Sequence, residues 1–136
     1  MKRWLFKTEP SSYSYAQLAH DKRTRWDGVA NALARKHLRA IAPGDEVLIY
    51  HTGDEKAVVG VAQAVSDPYP DPKANGDDAA VVIDVAAKRA LPRPVTLAEV
   101  KGRPMLKTFP LVRLPRLSVM PVSAAEWKEI ERLAKS

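Results

Sequence analysis

The sequence predicts an α+β fold, a small curved and mostly antiparallel sheet or barrel with helices packed on it. Three observations carry this reading. Short runs rich in Val, Ile and Ala are interspersed with helix signatures, but without the strand–helix alternation of a doubly wound parallel sheet. Three helix starts share one capping pattern, an oxygen-bearing side chain followed three residues on by Glu or Gln. The chain has 136 residues, 46% of them hydrophobic, enough for one core in one domain (residues 1–136) without covalent staples.

The elements follow in chain order. Residues 3–7 read as a strand that Pro10 cannot extend. Ser14-Tyr15-Ala16-Gln17 opens a first helix. A second, over 30–41, has good helix formers but no strong cap, and Pro43-Gly44 ends it. Strands are expected over 46–51, after the Pro43-Gly44-Asp45 turn, and over 57–65 and 79–85. Between the last two, residues 67–78 are rich in Pro, Asp and Gly and read as an exposed loop. Thr96-Leu97-Ala98-Glu99 starts a further helix. Arg116-Leu117-Ser118-Val119 reads as a strand between Pro115 and Pro121. Ser123-Ala124-Ala125-Glu126 opens a C-terminal amphipathic helix, with Trp127, Ile130, Leu133 and Ala134 on one face.

Composition excludes several chemistries. With no cysteine, the chain has no disulfide, thiolate metal site or cysteine nucleophile. No apolar run approaches the roughly 20 residues of a membrane span, and Trp4-Leu5-Phe6 is too short for a signal-peptide core. A cytoplasmic monomer without cofactor is expected. The net charge of +6 is unevenly spread. Segment 22–39 holds Lys22, Arg23, Arg25, Arg35, Lys36 and Arg39 against Asp27 alone. Segment 88–116 holds Lys88, Arg89, Arg93, Lys101, Arg103, Lys107, Arg113 and Arg116 against Glu99 alone. Together these segments carry +12 and the remainder −6. Side by side they would make a basic face that attracts phosphate; apart, they are ordinary solvated surface.

Signals for catalysis are weak. His20, His37 and His51 lie in separate elements without the spacing of a helical metal pair, and no metal site is expected. The glycines form no phosphate loop, and no serine has the surroundings of a nucleophile elbow. Signals for recognition are stronger. Arg25-Trp26-Asp27-Gly28 places a tryptophan on an expected turn, and loops carry binding residues. Asn31, Arg35 and Arg39 recur every four residues and share a helix face. These residues either flank a site floored by Trp26, or serve as a helix cap and as partners of carboxylates. Trp4 and Phe6 face one side of the first strand, as core residues do, while Lys7 and Glu9 are candidate polar readers. Tyr50-His51 is a candidate aromatic wall, and Arg116 with Ser118 could face a ligand or simply an edge.

The ordered motifs Trp4-Leu-Phe-Lys-Thr-Glu-Pro10, Tyr13-Ser14, Thr24-Arg-Trp-Asp-Gly-Val29, Asn31, Ala34-Arg35, Leu38-Arg39, Gly44-Asp45, Tyr50-His51, Gly60-Val-Ala62, Tyr69-Pro-Asp-Pro72, Arg93-Pro-Val-Thr-Leu97 and Arg116-Leu-Ser-Val-Met-Pro-Val122 run almost the full length. On them the chain resembles the EVE domain family, a PUA-like group related in fold to the YTH and ASCH domains. The resemblance implies a PUA-like curved, mostly antiparallel β-barrel with peripheral helices. It also implies a non-catalytic reader that holds a modified base of DNA or RNA in an aromatic pocket. Carried over, Trp26 would be the stacking wall, with Lys7, Glu9, Ser12, Asn31, Tyr50 and Ser118 near the pocket. Arg25, Arg35, Arg39 and Arg116 would serve phosphate or brace the pocket. Ala30 and Ala32 flank Asn31 where many relatives carry Arg and an aromatic, a departure that bears on which modification is bound. An enzyme acting on a modified nucleotide, with Asp27, His51 or Glu9 as acid or base, is the alternative. So is a module that binds a small ligand or a protein.

Overall fold

A computed structural model of the protein describes residues 1–74 and 76–136. Asn75, inside the expected loop, lies outside the described residues. The strands are β1 (Arg3–Thr8), β2 (Arg23–Trp26), β3 (Glu46–His51), β4 (Ala57–Ala64), β5 (Tyr69–Pro70), β6 (Val81–Thr96) and β7 (Val119–Pro121). The helices are α1 (Tyr15–Asp21), α2 (Ala32–Arg39), α3 (Leu97–Lys101), α4 (Pro110–Arg113) and α5 (Ala124–Ala134).

The strands form one sheet in the order β2-β6-β4-β3-β1-β7, with β5 on β6. Among the described residues, only β1 and β3 pair in parallel; the other ladders are antiparallel. Register shifts in β4 at Val58/Gly60 and Val61/Ala62, and between Ile49 and Tyr50 of β3, bend the strands as bulges do. The sheet therefore curls into a half-barrel. Although three strands separate β2 from β1 in the sheet, Trp26 and Phe6 meet across the concave side with ring centroids 5.3 Å apart. This is the PUA-like α+β architecture.

The core is built around β1, β3 and β4. Leu5, Phe6, Val47, Leu48, Ile49, Val58 and Val61 have no exposed surface. Asp45 ties the chain ends of this region together, because its buried carboxylate accepts from the Lys2 N–H, the Trp4 indole Nε1 and the Ala42 N–H, each at 3.0 Å. Burial pushes its pKa up, but these N–H donors outweigh burial and hold it below the usual carboxylate range. Tyr15 fastens α1 to β4. Its ring lies over Gly60, where an added Cβ would come within 2.5 Å of the ring, and its hydroxyl donates to the Val61 carbonyl at 2.9 Å.

The structure corrects several local expectations. The helix expected over 30–41 is α2 (Ala32–Arg39), and it is capped: the Asn31 side-chain oxygen accepts from the Ala34 N–H. Trp26 closes a short strand rather than sitting on a turn, because Arg-Thr-Arg-Trp is too short and too charged to show β patterning. The strand expected over 79–85 runs on to Thr96 as β6. Pro92 and Pro94 are tolerated because pairing with β4 lapses between Ala90 and Val95. The strand expected over 116–119 is displaced to Val119–Pro121, since the Leu117 N–H donates to the Leu114 carbonyl at 3.0 Å and closes a turn. The other three caps match their expected residues, and at Thr96 and Ser123 both halves of the capping box are made.

Two predictions follow from this packing. Gly60→Ala forces the Tyr15 ring off β4 and should cost about 1–3 kcal/mol, the usual range for overpacking, read by urea denaturation. Hydrogen bonds from Arg93 hold the Glu99 pKa at about 2, and Arg132 with Arg103 do the same for Glu129. A depressed folded pKa gives stability that is present above the unfolded value near 4.5 and is lost as pH falls from there toward 2. Thermal midpoints should therefore fall across that window, and less steeply in Glu99→Gln and Glu129→Gln.

Candidate functional site

A cavity of about 340 Å³ opens where the end of β1, the loop before α1 and strand β2 converge. That volume sits at the small end of the range for small-molecule sites. Lys7, Thr8, Ser12, Tyr13, Thr24, Arg25, Trp26 and Asp27 line it. Its apolar wall is aromatic. The Trp26 indole is 8% exposed and packs on Phe6 from behind. Half-buried Tyr13 meets it edge-on, at 6.3 Å between centroids and 83° between planes. The indole is thus almost wholly covered, and Trp26 is one of the residues that line the cavity.

The wall is held rigidly. The Tyr13 hydroxyl donates to Asp21 Oδ2 at 2.9 Å, and its backbone carbonyl accepts from Thr8 Oγ1 at 2.7 Å. Alternation along β2 puts Thr24 and Trp26 on one face, and their backbones pair with Val85 and Ile83 of β6. Downstream, Arg35 clamps the segment leading into α2: its Nε donates to the Val29 carbonyl at 2.7 Å, and its Nη2 to Asp77 Oδ2 at 2.8 Å.

The polar rim carries donors and acceptors. Lys7 Nζ donates to the Pro115 carbonyl at 2.8 Å and stands 5.8 Å from the centre of the Tyr50 ring. Burial lowers the Lys7 pKa. An ammonium has three hydrogens, so one bond to Pro115 leaves others for a guest. Arg25 Nε donates to the Tyr69 hydroxyl at 3.2 Å, and that hydroxyl donates to Asp84 Oδ1 at 2.7 Å. Asp27 is exposed at the mouth.

The sequence-derived candidates are thus divided. Trp26, Lys7, Ser12 and Arg25 line the cavity together. Tyr50 is buried behind Lys7. Ser118 touches β1 through its carbonyl, which accepts from the Lys7 N–H at 2.9 Å. Glu9 binds its own loop, accepting from Ser11 and from Thr52 Oγ1 at 3.2 Å, and the Ser11 backbone bond leads in lowering its pKa. The Arg35/Arg39 face of α2 is turned to the 77–79 loop, where Arg39 Nη2 donates to the Ala79 carbonyl at 2.6 Å. Asn31 and Arg116 line a separate groove with Leu33, Arg113, Leu114, Pro115 and Leu117. His51 is committed elsewhere: Nε2 accepts from the Tyr15 N–H at 3.0 Å and Nδ1 lies 2.7 Å from Glu55 Oε1, which fixes the tautomer with hydrogen on Nδ1. Sequence reasoning missed Tyr13, Thr8 and Thr24 as lining residues. Had β2 been read as a strand, its period of two would have placed Thr24 beside Trp26.

The two basic segments are in part neutralised by ion pairs. Lys88, Arg89, Arg93 and Arg103 pair with Glu46, Glu131, Glu99 and Glu129, and Arg23 and Arg35 pair with Asp84 and Asp77. Where the segments do meet is the Asn31–Leu117 groove. Among the described residues, no three His, Asp or Glu side chains are grouped to hold a metal ion, and no helix is long and apolar enough to cross a membrane.

Comparison with known proteins places this geometry in context. The EVE domain model matches residues 2–133. Thymocyte nuclear protein 1 of Mus musculus is 32% identical over 167 aligned positions, spanning 98% of this chain and 74% of its own length. A solved structure from Rhodopseudomonas palustris shares 38% identity and superposes with a TM-score of 0.92, over 99% of this chain and 94% of that one. Human THYN1, solved in complex with 5-methylcytosine-containing DNA, shares 30% identity at a TM-score of 0.90, over 100% of this chain and 99% of its own.

The cap at Asn31 is directly testable. Asn31→Ala should lose about 0.5–2 kcal/mol of stability, whereas Asn31→Ser, which keeps a capping oxygen, should lose far less. Chemical denaturation of the two variants checks this.

Proposed function

The chain belongs to the EVE domain family, and we propose that it is a non-catalytic reader of DNA that carries a modified base, holding that base in the Tyr13–Trp26 cavity. The carrying observation is the cavity itself, a base-sized hollow with an aromatic wall and hydrogen-bonding groups of both kinds on its rim. The relative of matching fold in complex with 5-methylcytosine DNA supports the same reading. A base inside a duplex cannot reach such a hollow, so it must leave the stack, and an aromatic wall replaces the stacking that it loses.

The rim suits a methylated cytosine. A carboxylate accepts well from the exocyclic amino group of cytosine, and Asp27 stands at the mouth. The free hydrogens of Lys7 and the Ser12 hydroxyl match the acceptor atoms of the same base edge. The threonine methyls of Thr8 and Thr24 offer the apolar contact that a C5-methyl group favours. Arg25 at the rim and Arg116 in the adjoining groove serve the phosphates. Arg35 and Arg39 hold the 77–79 loop and the approach to α2, so their part is bracing. Glu9, Tyr50 and Ser118 support β1 and Lys7 from behind, and Asn31 supports α2 as its cap. A catalytic role for His51 is disfavoured, because both of its ring nitrogens are engaged in the fold.

Titration of oligonucleotides with and without a single 5-methylcytosine tests the proposal. The wild type should prefer the methylated strand. Tyr13→Ala should weaken binding about ten- to a hundred-fold, in line with roughly 1–3 kcal/mol per stacked base, and Trp26→Phe should weaken it less while keeping the core filled. Affinity should fall steeply with salt. Equal affinity of the wild type for methylated and unmethylated DNA overturns the reading.

A further inference from the structure

The groove beside the cavity holds a feature that the pocket does not use. Leu114 is 40% exposed and Leu33 41%, two of only four large hydrophobic side chains so exposed among the described residues. Both line a groove of about 330 Å³ with Arg113 and Arg116. Neither arginine makes a salt bridge or a side-chain hydrogen bond among the described residues, in contrast to the many paired cations elsewhere.

The turn that carries Leu114 is rigid. The Leu117 N–H closes it on the Leu114 carbonyl at 3.0 Å, and buried Leu117 anchors it in the core. Lys7 pins it twice, through its N–H to the Ser118 carbonyl at 2.9 Å and through Nζ to the Pro115 carbonyl at 2.8 Å. Lys7, on β1, also lines the cavity, so one side chain touches both the cavity and the turn. A leucine held out to solvent on an ordered turn, between two unpaired arginines and next to a base-sized hollow, has the makeup of a wedge. Proteins that unstack DNA insert such apolar side chains between base steps, with cations on the flanking phosphates.

We propose that the Arg113–Leu117 turn is a duplex-opening wedge: Leu114 enters the stack vacated by the base held in the cavity, and Arg113 and Arg116 grip the phosphates on either side. This rests on the reader function proposed above and extends it from single bases to duplex DNA. Leu33 and the exposed N-terminus of α2 at Asn31 form the opposite bank of the groove, where the second strand would lie. Charge complementarity selects the occupant, because among the described residues the charged groups that line the groove are the two arginines alone.

The test compares duplex and single-stranded oligonucleotides of one sequence, each with a central 5-methylcytosine and a neighbouring 2-aminopurine whose fluorescence rises on unstacking. The wild type should bind both forms and brighten the duplex. Leu114→Ala should bind the single strand as the wild type does, but lose roughly tenfold on the duplex, equivalent to about 1.4 kcal/mol, together with most of the brightening. Leu114→Met, which keeps an apolar side chain of similar reach, should restore both. Arg113→Gln and Arg116→Gln should each lower the salt slope of duplex binding by about one. If Leu114→Ala matches the wild type on both forms, or weakens both equally, the wedge is overturned while the reader stands. A wild type that ignores methylation on the single strand overturns the reader, and the wedge with it.

Discussion

The contact between Phe6 and Trp26 depends on the whole sheet and in turn positions everything at the cavity. Phe6 belongs to β1 and Trp26 to β2, on opposite sides of a path that runs through β6, β4 and β3. A flat sheet would hold these rings well over 10 Å apart, given about 4.8 Å between neighbouring strands. They lie 5.3 Å apart because bulges in β3 and β4 curl the sheet onto itself. The apolar gain from burying both rings then stabilises the curl, and the curl brings β2 to the mouth of the half-barrel. Tyr13 closes on the same indole, so the cavity wall is an outgrowth of the core.

This origin explains why Trp26 is at once buried and part of the cavity wall. An indole free on a loop would lose side-chain freedom on binding and would expose apolar surface beforehand. Here Phe6 packs against the ring while Trp26 lines an open volume. The rim is ordered in the same manner, since Lys7, Arg25 and Tyr13 each make a structural hydrogen bond before any ligand arrives. Such pre-organisation lowers the entropic cost of binding.

Electrostatics divides the surface into paired and unpaired cations. Most basic residues of β6, and several elsewhere, face a carboxylate within 2.6–3.5 Å, so much of the excess charge is locally compensated. Surface pairs of this kind add little stability individually. Their larger effect is to leave the field less crowded where cations stand alone, as at Arg113 and Arg116 beside the cavity. In the proposed complex, phosphates would meet uncompensated cations where pairing fails, not where basic residues are densest in sequence.

Much of the fold was legible in the amino-acid order because it depends on neighbours in the chain. The caps at Ser14, Thr96 and Ser123, the strands at Glu46–His51 and Ala57–Ala64, the amphipathic stripe of α5 and the α+β class all rest on spacing of a few residues. Trp26 could be singled out for the same reason, by its charged and turn-forming neighbours. What only the tertiary structure decided depends on residues far apart in the chain. It set the length of β6, held to its ladder by β2 and β4; it put Asn31 beside a second groove; and it brought Tyr13 to the indole. It also decided which cations are neutralised, because Asp77, Asp84, Glu46 and Glu129 accept from Arg35, Arg23, Lys88 and Arg103 across 26 to 61 residues of chain. Local sequence sets local conformation, whereas a cavity is a space between segments and exists only once the sheet has curled.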